Sequence, residues 1–90
     1  MKRYVKSSDN GYKYHLIGYS DRNEVDFCYF YGFDTVAILD YAASMLSDES
    51  LDYIKLENLD NGEEFFNTAN AWYTYVEEGD LPEDAYSIID

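Results

Sequence analysis

Glu24-Val25-Asp26-Phe27-Cys28-Tyr29-Phe30-Tyr31-Gly32-Phe33 runs directly into Asp34-Thr35-Val36-Ala37-Ile38-Leu39-Asp40-Tyr41-Ala42-Ala43-Ser44-Met45-Leu46, and the apolar period changes where the two meet. In the first part Val25, Phe27, Tyr29 and Tyr31 alternate on one face, the two-residue period of a strand. Cys28 and Phe30 fall on the opposite face, so this strand is expected to be central and covered on both sides. Asp34 then sits where a helix N-cap belongs, with Phe33 before it and Ile38 four residues into the helix as a hydrophobic staple. From residue 35 to residue 46 the apolar positions form a wide helical stripe suited to packing across a sheet.

The flanks extend this unit in both directions. Upstream, Asp9-Asn10-Gly11 is a tight-turn signal between strand-like residues 3–7 and 12–19, and Ser20-Asp21-Arg22-Asn23 is a second turn. Downstream, Ser47-Asp48-Glu49-Ser50 ends the helix, residues 51–59 read as a strand, and Asp60-Asn61-Gly62 turns it into a short strand over residues 63–66. Asn67 is placed to cap a helix over residues 68–78, with Ala69, Trp72 and Val76 inward and Gly79 as its stop. The run Trp72-Tyr73-Thr74-Tyr75-Val76 also has strand composition, which leaves strand as the alternative there. Pro82 suits the first turn of a short terminal helix ending at residue 89. The expectation is an α+β fold: an antiparallel sheet of two hairpins, about five strands, packed on one main helix, with a second helix toward the C-terminus. Residues 1–90 form one domain on this reading.

Of the 90 residues, 47% are hydrophobic and 19% aromatic, too rich for a disordered acidic tail. No run approaches the ~20 apolar residues of a membrane span. Basic Met1-Lys2-Arg3-Tyr4 is not followed by an apolar signal core, so a cytoplasmic protein is expected. Cys28 is the only cysteine, which excludes an intramolecular disulfide and a cysteine metal cluster.

Signatures of catalysis are sparse. His15 is the only histidine, and pairing of the second and third predicted strands could bring it to Cys28. The plainer reading is a half-buried strand histidine and a small core thiol, because no third orienting group is evident. No glycine-rich phosphate loop occurs. Around Gly62, Glu57, Leu59 and Asn61 fall at the first, third and fifth positions of a calcium loop, but Leu59 cannot ligate and Thr68 stands where the closing Glu belongs. The acid pairs Glu63-Glu64, Glu77-Glu78 and Glu83-Asp84 read as solvated surface. No enzyme activity, cofactor or metal is expected.

Charge is the informative feature. Nineteen acids against six bases give a net −13. Residues 1–47 hold six acids and five bases, whereas residues 48–90 hold thirteen acids and a single base, Lys55. Direct nucleic-acid binding is disfavoured, since it needs cations to displace counterions from phosphates. The inverse is favoured: a duplex of about 30 Å carries roughly 18 phosphates, and a charge density of that order is steered toward a cationic groove. The candidate contact acids are Asp48, Glu49, Asp52, Glu57, Asp60, Glu63, Glu64, Glu77, Glu78, Asp80, Glu83 and Asp84. A domain this small cannot bury all eleven tyrosines with their hydroxyls satisfied, so Tyr73 and Tyr75, inside the acidic half, join the candidates.

In size, acidity, tyrosine content and compact αβ pattern the chain resembles the small phage and mobile-element inhibitors of bacterial defence, the anti-CRISPR proteins and anti-restriction DNA mimics. The resemblance spans the whole chain and rests on no diagnostic motif. It implies occlusion of the DNA- or guide-RNA-binding surface of an effector nuclease complex, and it transfers no residue roles. The competing expectations are a protein–protein adaptor or accessory subunit whose charge serves solubility and partner choice, and a domain acidified for life in high salt. No membrane partner is expected, and an exposed edge strand would allow a homodimer.

Overall fold

The computed structural model describes residues 11–89. In chain order its elements are β1 (Tyr14–Ser20), β2 (Asn23–Phe30), α1 (Thr35–Met45), β3 (Tyr53–Asn58), β4 (Glu64–Thr68), α2 (Ala69–Glu78) and a single-turn α3 (Glu83–Tyr86). The described strands form one antiparallel sheet in the order β2-β1-β3-β4, with the described helices on one face, so the fold is α+β as the sequence implies. Among the described residues the sheet has four strands, not five; the strand expected over residues 3–7 lies outside them.

Asp34 caps α1 as its position predicts, its Oδ1 accepting from the Ala37 N–H at 3.1 Å. Phe33 packs against the core and meets the Tyr14 ring edge-on at 5.3 Å. Asp21 and Arg22, both at positive φ (51° and 69°), form the two-residue turn between β1 and β2. Residues 69–78 are helical, which resolves the open alternative. Thr68 is the cap, its Oγ1 accepting from Ala71 N–H at 3.2 Å, while Asn67 ends up in β4 and donates from Nδ2 to the Tyr75 hydroxyl at 2.9 Å. Gly79 stops α2 at φ 75°, a left-handed conformation that glycine adopts without a Cβ clash. The terminal helix is shorter than expected, and buried Leu81, Ala85 and Ile88 tie it to the sheet end.

One expectation is overturned. The strand expected over residues 24–33 is not central among the described residues: β2 is an edge strand, and its aromatics are half-buried. Among the described residues the interior positions belong to β3 and to β1, where Tyr14, His15, Leu16, Ile17 and Gly18 are all buried. A Cβ at Gly18 would come within 2.9 Å of Leu51 Cδ1 and 3.2 Å of Met45 Sδ, so these two side chains pack directly on the strand backbone there. On the helix-covered face Leu16, Ile54, Leu56 and Phe65 meet Ile38, Ala42, Met45 and Trp72. The fully buried Trp72 donates its indole N–H to the Ile54 carbonyl at 3.0 Å. Among the described residues no helix is long and apolar enough to cross a membrane.

Candidate binding surface

Among the described residues the helical layer carries nine acids and no base, and the sheet with its turns carries eight acids and three bases. Residues 32–50 and 67–89 supply α1, α2, α3 and their connections, and contain no lysine or arginine. Asp34, Asp40, Asp48, Glu49, Glu77, Glu78, Asp80, Glu83 and Asp84 all belong to these segments, and each is exposed. The described cations, Lys13, Arg22 and Lys55, belong to the strands and turns of the sheet. Both layers are acidic, and what sets the helical one apart is that its described segments hold no base.

Several of these acids occupy positions that do not help the helices. Acids favour a helix near its N-terminus and disfavour it near its C-terminus, where the carbonyl ends already carry negative charge. Neither α1 nor α2 has an acid in its first turn or a base in its last. Instead Glu77 and Glu78 fill the last turn of α2, and Asp48 and Glu49 follow the end of α1. The hydroxyl and then the N–H of Ser50 hold the Asp48 carboxyl below the usual carboxylate range. A hydrogen bond from the Tyr86 hydroxyl, with the Leu81 N–H second, does the same for Asp80.

The remaining candidate acids lie on the sheet and its turns. Asp52 Oδ2 accepts from the Asp21 N–H at 2.5 Å and fixes the β1–β2 turn. Glu57 is 13% exposed and lies 3.9 Å from His15 Nδ1, so it faces inward. Asp60 meets Lys13 at 3.6 Å, and Glu64 meets Lys55 at 3.3 Å. Exposed Glu63 is in the β3–β4 turn. The twelve candidate acids are therefore not one surface: Asp48, Glu49, Glu77, Glu78, Asp80, Glu83 and Asp84 share the helical layer, and Asp52, Glu57, Asp60, Glu63 and Glu64 do not. Asp34 and Asp40, which the sequence reading did not single out, complete the layer.

The tyrosines divide too. Tyr73 is 55% exposed on α2. Tyr75 turns inward onto Trp72 and Phe65, at ring distances of 5.4 and 6.2 Å. Beside Tyr73 the layer is not wholly polar: a groove between α1 and α2 is lined by Val36, Leu39, Asp40, Ala43, Leu46, Tyr73 and Val76. The face of the sheet away from the helices is aromatic, with His15 stacked on Tyr29 at 4.2 Å, Tyr19 on Tyr53 at 4.7 Å, and Phe66 64% exposed.

His15 and Cys28 are not a catalytic pair. His15 is opposite Tyr29 on the sheet face away from the described helices, whereas Cys28 is opposite Leu16 on the face those helices cover. Burial, helped by Asp26, pushes the Cys28 thiol up, away from a reactive thiolate. Among the described residues no group of three His, Cys, Asp or Glu side chains is placed to hold a metal. In comparison with known proteins, no family model, curated sequence or solved structure matches the chain.

Proposed function

We propose that the protein is an acidic binding protein that acts as a DNA mimic in the cytoplasm. It inhibits a nucleic-acid-binding effector, in the manner of an anti-CRISPR protein, by occupying the effector's cationic DNA- or RNA-binding surface. The helical layer carries this reading: among the described residues its segments hold nine exposed acids and no lysine or arginine, in a molecule 33 × 30 × 18 Å. A duplex of about 30 Å carries roughly 18 phosphates. The layer's nine acids are of the same order. Four of them, Asp48, Glu49, Glu77 and Glu78, sit at or just past helix C-termini, where they disfavour the helix, as expected of charge kept for a partner, whereas Asp34 caps α1 and Glu83 and Asp84 open α3. Lysines and arginines arranged to receive phosphates would be drawn to it, and the attraction would weaken with salt.

Capture from bacterial lysate on immobilised protein tests the reading. A retained nucleic-acid-binding protein, released by duplex DNA and by rising salt, supports it. A retained partner indifferent to DNA overturns it in favour of a protein–protein adaptor. That second reading draws on the apolar groove and the aromatic sheet face, which electrostatic mimicry does not need.

A further inference from the structure

We propose that the groove between α1 and α2 docks a cationic amphipathic helix of a protein partner, about three turns long. Its apolar stripe enters the groove and its lysines or arginines meet the acids on the rims. The inference rests on the reading that the helical layer binds a cationic macromolecule, and it names the segment bound.

The groove consists of two adjoining cavities, of about 160 and 270 Å³, that share Ala43 and Val76 in their walls. Its apolar residues face solvent: Val36 is 70% and Tyr73 55% exposed. On α1 the stripe that faces the sheet is Ile38, Leu39, Ala42 and Met45. A second stripe, Val36, Ala43 and Leu46 with Leu39 shared, steps along the helix by three or four residues beside the first. From Val36 to Leu46 it extends about 15 Å, or three helical turns, at 1.5 Å per residue. Ala43 at its centre lets a second backbone come close. A trough of these dimensions between two helices suits an i, i+3/i+4, i+7 set of anchors from a third.

Charge selects the occupant. Asp40 is in the wall, Glu77 adjoins Val76, Asp80 follows Gly79, and Asp48 and Glu49 lie just past Leu46. Among the described residues these helical segments contain no lysine or arginine, so the charge nearest the groove in the chain is anionic. A second copy of the chain would set one acidic layer against another and is disfavoured. A helix with an apolar stripe and basic flanks satisfies floor and rim together.

The probe is a synthetic, end-blocked peptide of about 14 residues, with leucines at helical spacing and lysines and arginines elsewhere. A scrambled peptide of identical composition and an analogue with glutamates in place of the cations are the controls. Binding to the full chain is followed by calorimetry and backbone amide shifts at about 50 mM salt, where charge is weakly screened. The patterned peptide is expected to bind about tenfold tighter than the scrambled one, less than the burial of a single leucine provides. Its shifts should run along residues 36–47 and 73–79, and the glutamate analogue should not bind. Val36→Ser with Tyr73→Ser, both at exposed positions, should bring the two cationic peptides level. Ala43→Trp, which fills the groove, should do the same by opposite chemistry. Equal binding of the cationic peptides to the unaltered protein, or shifts confined to the sheet, overturns the groove while leaving an acidic binding layer. Failure of both cationic peptides to bind overturns the acidic-layer reading as well.

Discussion

Replacing Glu77 and Glu78 together by glutamine is expected to stabilise the protein and to weaken its binding. Both residues are exposed in the last turn of α2, and among the described residues neither carboxylate has a hydrogen-bond or ion-pair partner. Each charge at a helix C-terminus costs about 0.3–1 kcal/mol at low ionic strength. Glutamine has nearly the helix propensity of glutamate, so propensity does not blur the comparison. The pair should therefore add about 1 kcal/mol. For a domain of this size that is a rise of roughly 4–8 °C in Tm. The assay is thermal unfolding followed by circular dichroism at low salt and again at about 0.5 M, where screening should remove most of the difference. Affinity for the cationic partner should fall in the same variant. A Tm that drops or stays level at low salt would show that these carboxylates support the fold, and would remove the argument that they are kept for a partner.

Three further outcomes follow from the packing and the titrations. Trp72→Phe removes the indole donor to the Ile54 carbonyl and leaves space in a fully buried site. A loss of about 2–4 kcal/mol in urea unfolding is expected, and a loss below about 1 kcal/mol would mean the hydrogen bond is unimportant. Buried Asn58 donates to the Ile88 carbonyl at 2.8 Å and accepts from the N–H of Asp60 at 2.9 Å, tying the chain end to the β3–β4 turn. Asn58→Ala should strip hydrogen-exchange protection from residues 81–89 before α1 or the central strands, and uniform loss across the chain would contradict that. Tyr41 donates to Asp26 Oδ1 at 2.8 Å, and that bond with burial pushes its pKa up to about 12. Because the folded value lies above the unfolded one, the protonated tyrosine stabilises the fold below about pH 10 and that contribution is lost as pH rises toward 12. In an NMR titration Asp26→Asn should bring Tyr41 back toward its ordinary value, and an unchanged midpoint would exclude Asp26 as the cause.

The fold was legible where local signals agree. The change of period at Asp34, the Asp34 cap and the Gly79 stop place α1 and the end of α2 within a residue or so. The helix start slipped by one because Asn67 and Thr68 are both capping residues, and only tertiary structure gives the Asn67 amide a second use on Tyr75. The order of strands was not legible. Aromatics on both sides of residues 24–33 suggest burial, yet half-exposed rings on an edge strand give the same pattern, and it is the uninterrupted burial of residues 14–18 that marks the centre. Acidity was visible in the sequence; its allocation was not. That Asp34 and Asp40 join Glu77–Asp84 while Asp52 and Glu57 serve a turn and a buried histidine depends on contacts between distant residues. The groove was not legible because the broad apolar character of α1 reads as one face for the sheet, whereas Val36, Ala43 and Leu46 form a second stripe.

The central claim is that position on the helical layer, and not net charge alone, makes the protein a DNA mimic. Two variants with identical net charge test it most directly: Glu77→Lys with Glu83→Lys on the helical layer, and Glu24→Lys with Glu63→Lys on the sheet and its turn. Each is assayed, after its fold is verified, for blocking duplex binding by the nucleic-acid-binding protein captured from lysate. The account predicts that the helical-layer variant loses its block while the sheet variant retains most of it. Equal loss in both, or loss only in the sheet variant, would contradict it.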